Sequence, residues 1–236
     1  MTEKISWQVD VVRLTLLGSV DVAPSFSWAA LTGLQPESVT SRPNQQLNVE
    51  EGPWENGHLA VNGQPGRIEV IFSAIPKDPM SIPSLGDIRT ILPKFEALTT
   101  KAKFPVSARI AVGIRLNAFP GDQEKSDRLI SAALPEVRLP AGSTDVVVQY
   151  NSPKKYPKIG GLVVNRIIKW SQLVAHTLQF VNGQQLANAQ EHILQLDLDI
   201  NTSPLSKLPH TDQYAAVVKA LFAEIDGLSG VVEVAP

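Results

Sequence analysis

Alternation of apolar and polar positions divides this chain into strands and helices that come in the same order twice. Val9 and Val11 share one parity, and Val12, Leu14 and Leu16 continue on the other. That one-residue shift predicts, over 7–17, a strand with a bulge or one buried on both faces. Residues 20–24 turn the chain. A short helix is expected over 25–34, with Ser25 or Ser27 placed to cap it and Gly33 to stop it. Pro36, Pro43 and Pro53 punctuate a poorly patterned stretch with one short strand near 46–49. Apolar runs at 58–61 and 67–75 flank Asn62-Gly63-Gln64-Pro65-Gly66, a five-residue connection that predicts a hairpin. After a loop over 77–83, Ile88, Ile91, Leu92, Phe95 and Leu98 recur at helical spacing within 84–101. Pro93 inside that stripe predicts a kink or a delayed start.

The second half opens on the clearest strand. Val106, Ala108, Ile110, Val112, Ile114 and Leu116 face one way, and Ser107, Arg109, Gly113, Arg115 and Asn117 the other. One buried and one polar face is the mark of an antiparallel sheet. A helix over 122–134 follows, with Leu129, Ile130, Ala133 and Leu134 inward, then a short strand at 144–150 and a lysine-rich loop at 151–159. The β-branched and aromatic content of 162–181 predicts a long strand, although Val163, Ile167, Trp170, Val174 and Leu178 also recur at helical spacing. Asn182-Gly183 makes a turn, 193–200 alternates as a strand, and a helix over 211–226 buries Tyr214, Val217, Val218, Leu221 and Ile225. Asp212 is its expected cap and Gly227 its expected stop.

Strands run consecutively rather than alternating with helices, which favours α+β over a doubly wound sheet. The expected architecture is mainly antiparallel sheet with amphipathic helices on one face. It comprises two pseudo-repeated β-α-β-β-β-α halves, 1–103 and 104–236, packed as one compact body.

Composition narrows the function classes. With 236 residues, 43% of them hydrophobic and 19% charged, the chain can bury a core without staples. The absence of cysteine excludes disulfides, thiolate metal sites and cysteine nucleophiles, and it fits a reducing cytoplasm. The first half carries nine Lys/Arg against eleven Asp/Glu and the second twelve of each, so the net charge of -2 hides no strongly basic half. A general nucleic-acid binder is therefore unsupported. No apolar run is long enough for a membrane span, and residues 1–6 do not form a signal peptide. The setting expected is cytoplasmic.

Three constellations carry candidate chemistry. Asp197 and Asp199 stand two apart on one strand and so project from one face, where they could bind a divalent metal or act as acid and base; Glu191 and His192 lie upstream. The plainer reading is the wet face of an antiparallel strand. Between Val146 and Gln190 the five basic residues Lys154, Lys155, Lys158, Arg166 and Lys169 meet no acidic one, with Tyr150, Tyr156 and Trp170 interleaved. They could take an anion, a nucleic acid or an acidic partner, or simply form a solvated loop and strand ends. Arg109 and Arg115 share the polar face of their strand and could bind carboxylate or phosphate, or make cross-strand ion pairs. His58, His176, His192 and His210 form no metal-spaced pair. Nucleophile-elbow, phosphate-loop and dinucleotide signatures are missing, and no motif calls for a cofactor.

Ile114-Arg115-Leu116-Asn117 and Asn165-Arg166-Ile167 resemble matching segments in a sporadically distributed family of uncharacterised bacterial proteins, whose Arg- and Asn-bearing strands lie mid-chain. The resemblance covers the second half. It implies an accessory or defence-type role and no agreed activity. The element order also resembles folds of the TATA-binding or helix-grip kind. The function expected is a non-catalytic interaction module with a protein partner or self-association. The alternatives are anion or nucleic-acid binding through the basic segment and a metal-dependent enzyme built on Asp197 and Asp199.

Overall fold

A computed structural model describes residues 3–19, 26–78, 81–140, 142–181, 184–230 and 233–234. The expected turns at 20–24 and Asn182-Gly183, with the alternative cap Ser25, lie outside the described residues. The elements in chain order are β1 (Glu3–Lys4), β2 (Gln8–Leu17), α1 (Trp28–Thr32), β3 (Ser38–Arg42), β4 (Leu47–Trp54), β5 (Gly57–Gln64), β6 (Arg67–Ser73), β7 (Gly86–Asp87) and α2 (Ile88–Thr100). There follow β8 (Arg109–Ala118), α3 (Gln123–Ala133), β9 (Val147–Asn151), β10 (Lys154–Tyr156), β11 (Leu162–Val181), β12 (Gln184–Thr202), α4 (Tyr214–Ser229) and β13 (Glu233–Val234).

One antiparallel sheet of eleven strands runs in the order β10-β11-β12-β8-β2-β6-β5-β4-β3, with β7 beside β2 and β9 beside β11; β1 and β13 form a separate pair. The opening strand of each half, β2 and β8, meets the other at the middle, so the sheet continues across the 103/104 boundary. The fold is α+β. The two segments differ between their helices: 1–103 places five strands there, β3 to β7, and 104–236 four, β9 to β12, against the three expected in each, because β3, the two-residue β7 and β10 escaped the alternation rule. All five residues of β3 are exposed, and β10 is Lys-Lys-Tyr.

The parity shift in β2 is a bulge at Asp10, where the register against β8 slips between Val9 and Val11. It lets Val9, Val12, Leu14 and Leu16 all face the helices and be fully buried. Ile110, Val112, Ile114 and Leu116 of β8, and Leu194, Leu196, Leu198 and Ile200 of β12, complete that apolar surface. Val106, expected in β8, lies before it and is 65% exposed. On this floor α2 and α4 pack side by side, α2 over β2 and α4 over β8 and β12. Phe72, Phe95 and Phe222 run from β6 through α2 into α4, with ring centroids 6.5 and 6.1 Å apart. Trp7 rests on Trp170 at 5.9 Å, and its indole N–H donates to the Ser229 carbonyl at 3.0 Å.

Local signals set the helix ends. Ser27 Oγ accepts from Ala30 N, and Gly33 closes α1 at φ 74°. Asp87 caps α2, which starts at Ile88 rather than near 84. Pro93 sits within α2 on the exposed side it shares with Arg89, whose carbonyl lacks the amide a proline cannot supply. Asp122 caps α3 through Lys125 N. The last helix differs from expectation. Asp212 belongs to a 3-10 turn and contacts His210, and α4 passes through Gly227 to end at Gly230. The β5–β6 hairpin is also tighter than expected. Its strands reach Gln64 and Arg67, leaving Pro65-Gly66 with Gly66 at φ 71°, the pairing a type II turn demands. Residues 162–181 are strand throughout, as β11. No helix among the described residues is long and apolar enough to cross a membrane.

Candidate functional site: the uncovered sheet face

Helices cover one face of the sheet, and the other carries the alternate residues of every strand. Two rows cross its centre. In the first, Ala60, Ile71, Arg13, Gly113, Asp199, Ile167 and Asn151 follow one another across neighbouring strands. In the second the order is His58, Ser73, Val11, Arg115, Asp197, Lys169 and Gln149. A depression of about 330 Å³ lies over them, lined by Val11, Arg13, Ile71, Gly113, Arg115, Gln149, Ile167, Lys169, Asp197 and Asp199, with Ile114 and Leu198.

The charges here answer one another. Arg115 Nε donates to Asp197 Oδ1 at 2.9 Å, and its Nη1 stands 3.6 Å from Asp10 Oδ2. Arg13 Nη2 lies 3.6 Å from Asp199 Oδ2, and Asn201 Nδ2 donates to Asp199 Oδ1 at 3.0 Å. Arg13 can lie across β8 because Gly113 has no side chain; a Cβ there would stand 2.7 Å from the Arg13 Nε. Burial alone would lower the Arg115 pKa, but Asp197 and then Asp10 carry it above its ordinary value. Burial lifts the Asp10 carboxyl; Arg115 opposes the rise and Asp197 adds to it. Three cations, Arg13, Arg115 and Lys169, line the depression with Asp197 and Asp199; Asp10, outside that lining, is a third carboxylate held against Arg115.

Arg109 lies farther along the same face. Its Nε donates to the Thr202 carbonyl at 3.1 Å and its Nη2 to Asn201 Oδ1 at 2.8 Å. Asn165 Nδ2 donates to that same oxygen at 3.1 Å, and Asn151 Nδ2 donates to Asn165 Oδ1 at 3.3 Å. Both arginines singled out from the sequence are therefore engaged across strands. Asp197 and Asp199 do share a face, but each is held by a guanidinium. Among the described residues no group of three or more His, Asp or Glu side chains could hold a metal ion.

The basic segment divides between the faces. Lys169 is on the uncovered face. Arg166, of opposite parity on β11, turns to the helix side, where its Nη1 donates to Glu224 Oε2 at 3.1 Å and its Nε to the Ser152 carbonyl at 2.7 Å. Lys154 Nζ donates to the other Glu224 oxygen and lies 5.2 Å from the centre of the Tyr156 ring. Burial alone would raise the Glu224 pKa, but Lys154, Tyr156 and Arg166 bring it below its ordinary value. Burial and then Glu224 push the Tyr156 phenol up, and its buried hydroxyl meets no hydrogen-bond geometry. Lys154 and Arg166 thus tie β10 and β11 to α4. Lys155 lies near Gly161, and Lys158 sits in the turn that follows β10.

Arg13, Asp10 and Gly113 were not singled out from the sequence. Arg13 had a signal, since it alternates with Val11 and Thr15 on the polar side of β2. Its partner Asp199 lies far along the chain and had none. No family model and no curated protein matches this chain.

Proposed function

We propose that the chain is a non-catalytic interaction module that docks a protein partner on its uncovered sheet face. One observation carries this reading: the described helices all lie on one side of a broad sheet, and the centre of its other side mixes apolar Val11, Ile71 and Ile167 with two arginine–aspartate pairs. A polyanion requires a positive field, which three carboxylates cancel here. A protein surface of mixed polarity and little net charge fits instead, as in non-obligate interfaces. The resemblance to sporadically distributed bacterial proteins supports an accessory or defence-type subunit, and the absence of cysteine fits a cytoplasmic setting.

The test is affinity capture from the native host with the tagged chain and an Ile71→Glu/Ile167→Glu variant. Both side chains are partly exposed on the uncovered face, so the charges enter no core. The wild-type chain should retain a partner that the variant loses while its circular dichroism is unchanged. A wild-type chain that retains nothing, or a variant that retains the same partner, contradicts the proposal. A mobility shift with nucleic acid at about 50 mM salt would replace it with the anion-binding reading.

A further inference from the structure

The β11–β12 hairpin outruns its sheet. On the outer side of β11, pairing with β9 ends at Ser171, and one more bond follows from Gln172 N to the Val146 carbonyl. On the outer side of β12, pairing with β8 ends at Leu194. Beyond these points the two strands, among the described residues, pair only with each other, up to Val181 and Gln184. A lone two-stranded ribbon is marginal in water, and each of its edges offers unpaired N–H and C=O groups. Proteins usually guard such edges with charge or proline. From Leu173 to Ile193 this ribbon has neither proline nor lysine and a single formally charged residue, Glu191.

We propose that the outer edge of β11 pairs with the same edge of a second copy, in antiparallel register about a twofold axis. Parity identifies the groups. Gln172 N points outward, so Val174, His176 and Leu178 present their backbone groups on the same edge. The stretch available is bounded at one end by β9 and at the other by the irregularity between Gln179 and Phe180. It spans Leu173 to Gln179, and its midpoint is His176. Centred there, Val174 of one copy meets Leu178 of the other, and each outward N–H finds a carbonyl. A second copy fits better than a foreign strand because the ribbon is self-complementary. Two identical edges meet in antiparallel register with every outward group matched, and the near absence of charge removes repulsion between copies. Leu178, 50% exposed, marks apolar surface that pairing would cover.

This contact is separate from the docking face, and the test keeps them apart. Sedimentation equilibrium of the full chain should show the mass rising from 25.6 kDa towards twice that value as concentration approaches ~100 μM. Leu178→Pro removes an outward N–H from each copy while leaving the bonds to β12, and Leu178→Lys places a charge on the edge. Each should weaken association by roughly tenfold or more, because two bonds per dimer are lost or a like charge is brought between copies. Ile71→Glu/Ile167→Glu should associate as the wild type does. A wild-type chain that stays monomeric at every concentration overturns the proposal. So does a dimer that both Leu178 variants form equally well.

Discussion

Gly57 shows how closely single residues are fitted. It opens β5 where the strand passes beneath Phe72 and Leu85, and a Cβ there would stand 2.6 Å from the Ser73 carbonyl oxygen. Backbone cannot yield as a flexible side chain can, so Gly57→Ala forces the hairpin apart. Overpacking of this kind costs roughly 1–3 kcal/mol, seen in a chain of this size as a melting temperature lower by about 2–12 °C. A variant that melts with the wild type would show that the approach is looser than described. Among single residues, inward and outward placement was legible, because alternation alone assigns a side chain to a face. Even the Asp10 bulge showed as a parity shift. The partners of Arg13, Arg115 and Arg109 were not legible. Those of Arg115 and Arg109 lie on neighbouring strands and that of Arg13 lies two strands away across Gly113, 82 residues along the chain for Arg115 and Asp197, and local sequence holds no record of that register.

Between elements, Glu224 is the clearest fastening, joining α4 to β10 and β11 through Lys154 and Arg166. Its pKa is lowered in the folded chain. A carboxylate so shifted contributes stability above its unfolded pKa and loses that contribution as pH falls through the folded value. Glu224→Gln should cost about 1.5–3 kcal/mol at neutral pH. The gap from wild type in thermal melts should close as pH drops below the ordinary 4.5. A gap of constant size down to acid pH would show that the ion pairs are idle. Elements buried on one face were read well, including β11, where β-branched content outweighed a competing helical spacing. The fully exposed β3 was missed for want of a buried face, whereas β9, also without a buried residue, was read from its β-branched run. Gly227 misled because helix propensity gives way where Ile225 before it is anchored in the core and Ser229 after it is buried beneath the Trp7 indole N–H.

Across the molecule, the order of elements pointed to helices gathered on one side of antiparallel sheet, and that is the arrangement found. What order could not convey is that β2 and β8 join all the main strands into one surface, with a single wide face that no described helix covers. The proposed docking rests on that asymmetry, and the cysteine-free sequence makes it directly measurable. Val70 and Ile71 are neighbours on β6 that point to opposite faces, Val70 fully buried under the helices and Ile71 lining the open depression. Ile71→Cys should react with a maleimide in the native chain at least ~100-fold faster than Val70→Cys, which waits for the sheet to open. Equal rates for the two cysteines, or protection of Ile71→Cys in the isolated chain, would contradict a sheet with one covered and one uncovered face.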